Sequence, residues 1–237
     1  YIKKFVLKNF AKKFYQSYFT QSFNVLPFVD GKLAVSKDFF SINKKGRWIT
    51  NIRSRTVANF LRSKYDCLLT TSKTINEDNP ILNCRIEGLE KKSPDIIILD
   101  RKFKIKKSSK IFKKNKNKIY ILMNTNNYLK EIFFKKIGVK IIKLKQNSSN
   151  VTELKNIFYE IKKLGLNRIL VESGVTFMDK LIKYNLIRNF YLFKSSTNLG
   201  TKGLNNTNPL YLKKINVSDK NKINVYLKED SLHKVLI

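Results

Sequence analysis

Short apolar runs rich in branched side chains alternate along this chain with longer stretches of helical periodicity, and that alternation restricts the fold more than any other feature. The runs Cys67 to Leu69, Ile96 to Leu99, Ile119 to Met123, Ile169 to Val171 and Phe190 to Phe193 are too short for helices and apolar enough for buried strands. Between them, apolar residues recur at three- and four-residue spacing. Val57, Phe60, Leu61 and the stem of Lys64 share one face of a helix that Thr50 is expected to cap. Val151, Leu154, Ile157, Phe158, Ile161 and Leu164 mark a second helix, stopped by Gly165, and Phe177 to Leu186 a third. Gly138 ends another helix before a strand through Val139, Ile141 and Ile142, and a last strand is expected near Ile223 to Leu227. Strands alternating with helices predict an α/β fold with a largely parallel central sheet flanked by helices.

Three segments need separate reading. Phe10, Phe14 and Tyr18, with Ala11, Tyr15 and Phe19, form an apolar stripe on an opening helix that must dock on something, and Pro27 ends it. Residues 1–25 are thus expected to be a helical lead-in and 26–237 one domain. Asp30 and Gly31 are a strong hairpin-turn pair, at odds with a continuous strand from Phe28 to Val35. The Lys- and Asn-rich stretch from Lys104 to Lys118 reads as a solvated loop.

A formal net charge of +32 would suit a nucleic-acid partner, but the cations are mostly lysines spread over the whole length. Arginine, the better residue for base edges, is sparse, so no specific nucleic-acid surface is expected. The charge does draw anionic nucleotides toward a cleft. Cys67 and Cys84 have no Cys or His neighbours in sequence and His233 is the only histidine, which argues against a zinc site; both cysteines read as small core residues. No apolar run approaches the roughly 18 residues needed to span a bilayer, and no secretory leader is evident, so a soluble, cytoplasmic protein is expected.

In open α/β sheets ligands bind beyond the carboxyl ends of the strands. There the chain places Glu172, Ser173, Gly174, Val175 and Thr176 ahead of a helix: a glycine where a phosphate could approach helix amides, or an ordinary strand-to-helix turn. Thr70, Thr71, Ser72 and Thr74 follow another strand, as phosphate donors or as a capping turn. Trp48, the single tryptophan, reads first as a core anchor and second as a flat surface for a nucleotide ring. Arg62, at the end of a helix, either meets the helix dipole or binds an anion.

The order of these fragments carries a resemblance. Pro27-Phe28-Val29, Lys32-Leu33-Ala34, Ser36 and Asp38, Trp48-Ile49-Thr50, Arg62, Leu69-Thr70, Thr74, Asp78, Pro80, Leu82, Arg85, then Glu172, Gly174, Thr176, Leu199-Gly200 and Gly203-Leu204 resemble the reductase domain of the bifunctional riboflavin biosynthesis deaminase/reductase. That family has a dihydrofolate-reductase-like fold. The resemblance implies reduction of 5-amino-6-(5-phosphoribosylamino)uracil to the ribitylamino compound with NADPH, in a homodimer, with the opening helix similar to the tail of a preceding deaminase domain. By position, Ala34, Trp48, Thr74, Asp78, Gly174, Val175, Thr176 and Phe177 would bind cofactor, and Arg62, Leu82, Arg85 and Glu172 substrate. Arginines suit a substrate phosphate and a carboxylate suits ribose hydroxyls. Asp78 is the candidate acid or base. Departures from the family pattern fall at Phe39, Gly46, Val175, Ser196 and Thr197, and at Arg101, which stands after a strand where it could reach a cofactor 2′-phosphate. On this reading Glu172→Gln is expected to lose turnover with little change in melting temperature. Two rival readings are an inactive reductase-like partner of a deaminase and a basic nucleic-acid-binding α/β protein.

Overall fold

A computed structural model describes residues 6–16, 18, 26–46, 48–145, 150–207, 212, 215 and 217–237. An eight-stranded sheet runs through it in the order β10-β8-β1-β7-β3-β4-β5-β6. The strands are β1 (Phe28–Val35), β3 (Cys67–Thr71), β4 (Asp95–Leu99), β5 (Ile119–Met123), β6 (Lys140–Lys143), β7 (Arg168–Glu172), β8 (Asn189–Lys194) and β10 (Ser231–Leu236). Only β10 is antiparallel to its neighbour; the other pairs are parallel. The α/β class and the largely parallel sheet are as the sequence predicts.

Helices cover both faces because alternate strand residues are apolar on both sides. On one face Val29, Leu33, Leu69, Ile97, Leu99 and Val171 pack against α6 (Asn150–Lys163) and α7 (Val175–Lys183). On the other, Leu68, Ile96, Ile98, Ile121 and Leu170 meet α2 (Ile52–Arg62), α3 (Ser72–Asp78), α4 (Lys110–Lys114) and α5 (Tyr128–Lys136) through Leu61, Ile75, Ile111 and Phe134. Cys67 and Cys84 are both buried as free thiols within this packing.

Several local expectations change. β1 is continuous through Asp30 and Gly31, so there is no hairpin turn: Gly31 lies so close to Met178, Ile187 and Phe190 that an added Cβ would come within 2.7 Å of Met178, and Asp30 is consumed by buried hydrogen bonds. The cap of α2 is Asn51, not Thr50. Its side chain accepts from Ser54 N at 3.0 Å and donates to the Leu227 carbonyl at 2.7 Å. The buried stripe of α2 is Ser54, Ala58, Asn59 and Leu61, and Phe60 faces outward. The stretch from Lys104 to Lys118 contains α4 and buries Ile105 and Ile111, so it is more than a loop. The last strand is β10, whereas Ile223 to Leu227 pass alongside it with only the bridge Lys222 to His233. The first helix, α1 (Lys8–Phe14), leaves Phe10 and Phe14 exposed, as are Tyr15 and Tyr18 just beyond it, so the stripe is not buried as its periodicity suggests; Phe19 lies outside the described residues.

A two-stranded ribbon, β2 (Phe40–Asn43) with β9 (Gly203–Asn206), stands beyond the carboxyl end of β1. Asp38 anchors it by accepting from the Leu199 and Gly200 amides. Phe39, at one of the departures noted above, takes the left-handed φ of 66° that glycine favours.

Candidate active site at the carboxyl ends of the strands

β1, β7, β3 and β4 are adjacent, so their carboxyl ends line one edge. Glu172 ends β7 in register with Lys32 of β1. The carboxylate is 8% exposed. Arg62, the last residue of α2, meets it with a fork: Nε donates to Oε1 at 2.7 Å and Nη2 to Oε2 at 3.0 Å. Lys32 Nζ lies 3.5 Å from Oε2. Burial alone pushes a carboxyl pKa up, but the guanidinium and then the ammonium outweigh it and hold Glu172 down at about 2. Arg62 stands in the last turn of its helix, and its guanidinium is engaged by Glu172.

The same guanidinium gathers the other substrate candidates. Its Nη1 donates to the Asn83 carbonyl at 3.0 Å and approaches Asn59 Oδ1 at 3.4 Å, while Arg85 Nε approaches that oxygen at 3.5 Å. One amide oxygen therefore brings Arg62 and Arg85 together. Leu82 is buried and held at φ 62°, uncommon for a branched residue, and the turn it makes delivers the Asn83 carbonyl. Thr70 Oγ1 and Asn83 Oδ1 are buried without a hydrogen-bond partner among the described residues. Thr70 lies one residue beyond the Leu69–Val171 pair, on the Glu172 side of the sheet. Buried polar atoms left without a protein partner are ones a water or a polar ligand could complete.

The opposite side of this edge is built from backbone. Gly174 is the N-cap of α7, and no side chain caps that helix. A Cβ built there meets nothing within 4 Å, so the space beside Gly174 at the helix start is open. Val175 is buried, Phe177 half-buried and Thr176 exposed. At the end of β3, Thr71 caps α3 by accepting from Thr74 N at 3.3 Å, and the two hydroxyls lie 3.0 Å apart. That cluster is a capping turn in the first instance. Ser72 Oγ donates to Asp100 Oδ1 at 2.8 Å, tying the turn to the end of β4. Arg101 follows, 2.6 Å from Glu153 of α6. An uncapped helix start with open space, flanked by hydroxyls and an arginine on three neighbouring strand ends, fits a nicotinamide dinucleotide.

The remaining candidates are more dispersed. Ala34 is half-buried on β1 and packs beside Ala58 and Phe193. Trp48 is 51% exposed, with the Arg55 guanidinium 4.6 Å from its ring centroid, so it is not a core anchor. Asp78 is exposed at the carboxyl end of α3, away from the helix start that carries Thr74. Lys32 received no role in the sequence reading. Its signal is a lysine inside a mostly apolar strand, on the same side as Asp30 and opposite Val29, Leu33 and Val35.

Comparison with known proteins bears on this edge. A family model described as the RibD C-terminal domain matches residues 27–221. The chain is 27% identical over 203 residues to a riboflavin biosynthesis protein RibD of Buchnera aphidicola subsp. Baizongia pistaciae, covering 79% of this chain and 53% of that protein. It is 29% identical over 172 residues to a 5-amino-6-(5-phosphoribosylamino)uracil reductase of Buchnera aphidicola subsp. Acyrthosiphon pisum, covering 67% of this chain and 79% of that one. Among solved structures, a diaminohydroxyphosphoribosylaminopyrimidine deaminase/5-amino-6-(5-phosphoribosylamino)uracil reductase of Thermotoga maritima superposes with a TM-score of 0.75 at 23% identity, over 98% of this chain and 62% of that one. That likeness shows the fold. The chain spans about half the length of the first curated relatives it matches.

Proposed function

The chain belongs to the RibD C-terminal domain family, and on that premise we propose that it reduces 5-amino-6-(5-phosphoribosylamino)uracil to the ribitylamino product, using NADPH, in riboflavin biosynthesis. The observation that carries the reading is the division of one strand edge into two sides. One side is the uncapped start of α7 at Gly174, and the other is the buried Glu172 with Arg62 and Lys32.

When bound, NADPH supplies hydride to C1 of the opened sugar. Gly174, Val175, Thr176 and Phe177 would hold its phosphates on helix amides, with Thr74, Trp48, Ala34 and Asp78 along its path and Arg101 toward the 2′-phosphate. Glu172, kept ionised by Arg62, is suited to accept hydrogen bonds from sugar hydroxyls, and Lys32 is the cation beside it at the reacting end. Arg85, exposed and bridged to Arg62 through Asn59, would take the substrate phosphate, and Leu82 would wall the pocket. The work of these residues is orientation: two reactants fixed across one edge, with no covalent intermediate required. We also propose a homodimer, a cytoplasmic location, and residues 1–25 as the lead-in from a deaminase domain. The Thermotoga relative, named as both deaminase and reductase, supports that last point.

The test is incubation of the purified chain with the phosphoribosylamino pyrimidine and NADPH, following loss of reduced nicotinamide absorbance and identifying the ribitylamino product by mass. Formation of that product is expected. NADPH binding without product would reject the activity.

A further inference from the structure

Arg101 pairs with Glu153, and that pairing bears on which dinucleotide the strand edge prefers. Arg101 Nε lies 2.6 Å from Glu153 Oε1, yet that Nε is buried and makes no aligned hydrogen bond among the described residues. The pair is thus a close charge contact with an unsatisfied donor. Both side chains keep solvent access, at 38% for Arg101 and 19% for Glu153, so a ligand can reach them. The backbone at Arg101 is fixed independently, since its carbonyl accepts from Asn124 N and Thr125 Oγ1, each at 3.2 Å.

Position matters as much as chemistry. Arg101 follows β4, and Gly174 follows β7, two strands away in the sheet. At ~4.8 Å per strand the two turns are about 10 Å apart along the edge, a separation within the span of one dinucleotide. Glu153 sits in the first turn of α6, on the same face of the sheet as α7.

We propose that Glu153 is a specificity-determining residue: it holds Arg101 as a counter-ion that a nucleotide 2′-phosphate must displace, and so restrains the preference for the phosphorylated cofactor. The proposal rests on the dinucleotide reading above. A phosphate monoester brings about −1.5 to −2 charge and three acceptor oxygens, against one charge on the carboxylate, so it wins the guanidinium by exchange and satisfies the Nε donor. The displaced carboxylate stays nearby and repels the phosphate. A nucleotide with a free 2′-hydroxyl leaves the pair intact.

The experiment is calorimetric titration of the purified chain with 2′,5′-ADP and with 3′,5′-ADP, two probes of equal charge, so that the general attraction of a +32 protein cancels. Wild type is expected to prefer 2′,5′-ADP, and Arg101→Ala to lose that preference. Glu153→Gln is expected to bind 2′,5′-ADP about threefold to tenfold more tightly at low salt, with 3′,5′-ADP changed less than about twofold and the gain shrinking as salt rises. An unchanged or weaker affinity of Glu153→Gln for 2′,5′-ADP, with the Arg101→Ala result as expected, overturns the role of Glu153 and leaves the dinucleotide site standing. Wild type that binds neither probe overturns both, and a preference that survives Arg101→Ala overturns the assignment of Arg101 and Glu153 together.

Discussion

Asp30 and Glu172 are both carboxylates buried on the same face of the sheet, and they are stabilised by opposite means. Asp30, 2% exposed near the start of β1, accepts from three neutral donors: Tyr65 Oη at 2.5 Å, Asn189 N at 3.0 Å and Asn189 Nδ2 at 2.8 Å. Burial raises its pKa, and those hydrogen bonds offset the rise only in part. Glu172, at the end of β7, is surrounded by cations and its pKa falls. Neutral donors suffice to lock a fold. Full charges squeezed together at a strand edge cost desolvation that packing alone would not justify, which marks that end of the sheet as the working end.

The sharpest way to break the comparison is to remove one cation. Arg62→Ala deletes both bonds to Glu172 and leaves the carboxylate with Lys32 alone at 3.5 Å. A stability loss of about 3 to 5 kcal/mol is expected in urea unfolding, because an uncompensated charge remains buried. Glu172→Gln is also expected to destabilise, since it strips Arg62 of its partner. That revises the expectation from sequence that melting would hardly change. Asp30→Asn keeps the Asn189 contacts and should cost about 1 kcal/mol. Equal losses for Arg62→Ala and Asp30→Asn would show that the two sites are the same kind of structure.

Acid unfolding separates them by sign. The folded pKa of Glu172, about 2, is below its ordinary 4.5, so its contribution is present above about pH 4.5 and is lost as pH falls toward 2. The shift corresponds to about 3 kcal/mol. For Asp30 the folded pKa is raised, so the folded state binds the proton more tightly and stability decreases as pH rises from 3.8 through the folded value. On acidification the Asp30 contribution therefore rises while the Glu172 contribution falls. Asp30→Asn should remove the gain and leave the loss, read as urea midpoints against pH. Identical pH profiles for wild type and Asp30→Asn would contradict the assignment.

What the sequence made legible follows the same division. Strands and long helices were readable because apolar periodicity depends on local spacing, as in α6. The structure links Arg62 to Glu172 directly and to Arg85 through Asn59, whereas the substrate roles of these residues and of Leu82 rested on resemblance and not on any local pattern. Partnerships were not legible. That Glu172 is matched by Arg62 across 110 residues, or Arg101 by Glu153 from another helix, depends on which faces the topology brings together. The Asp30-Gly31 turn signal failed because dipeptide preference yields to tertiary demands: a strand needing no Cβ at Gly31 and a buried acceptor at Asp30. Trp48 was misplaced for a related reason. Tryptophan is buried on average, and only its stacking on Arg55 at the surface shows otherwise.

The smallest expected change in stability tests the side of the edge that carries no buried carboxylate. At Gly174 the backbone has φ −62° and ψ 158°, ordinary values for alanine, and a Cβ there touches nothing. The fold therefore does not need glycine at this position. Gly174→Ala loses a slightly better helix cap and gains from a stiffer unfolded chain, so its stability should stay within about 0.5 kcal/mol of wild type. A ligand would feel the change more. The added methyl occupies open space at the helix start, and a phosphate it kept from the Val175 and Thr176 amides would lose charge-assisted hydrogen bonds worth about 1.5 kcal/mol or more, hence at least roughly tenfold in affinity. Fluorescence titration with NADPH, beside a melting curve, reads both quantities. Weakened binding at unchanged melting would mirror Arg62→Ala, where stability falls first, and would mark the two sides of one strand edge as differently built. Unaltered NADPH affinity would instead move the cofactor off the start of α7.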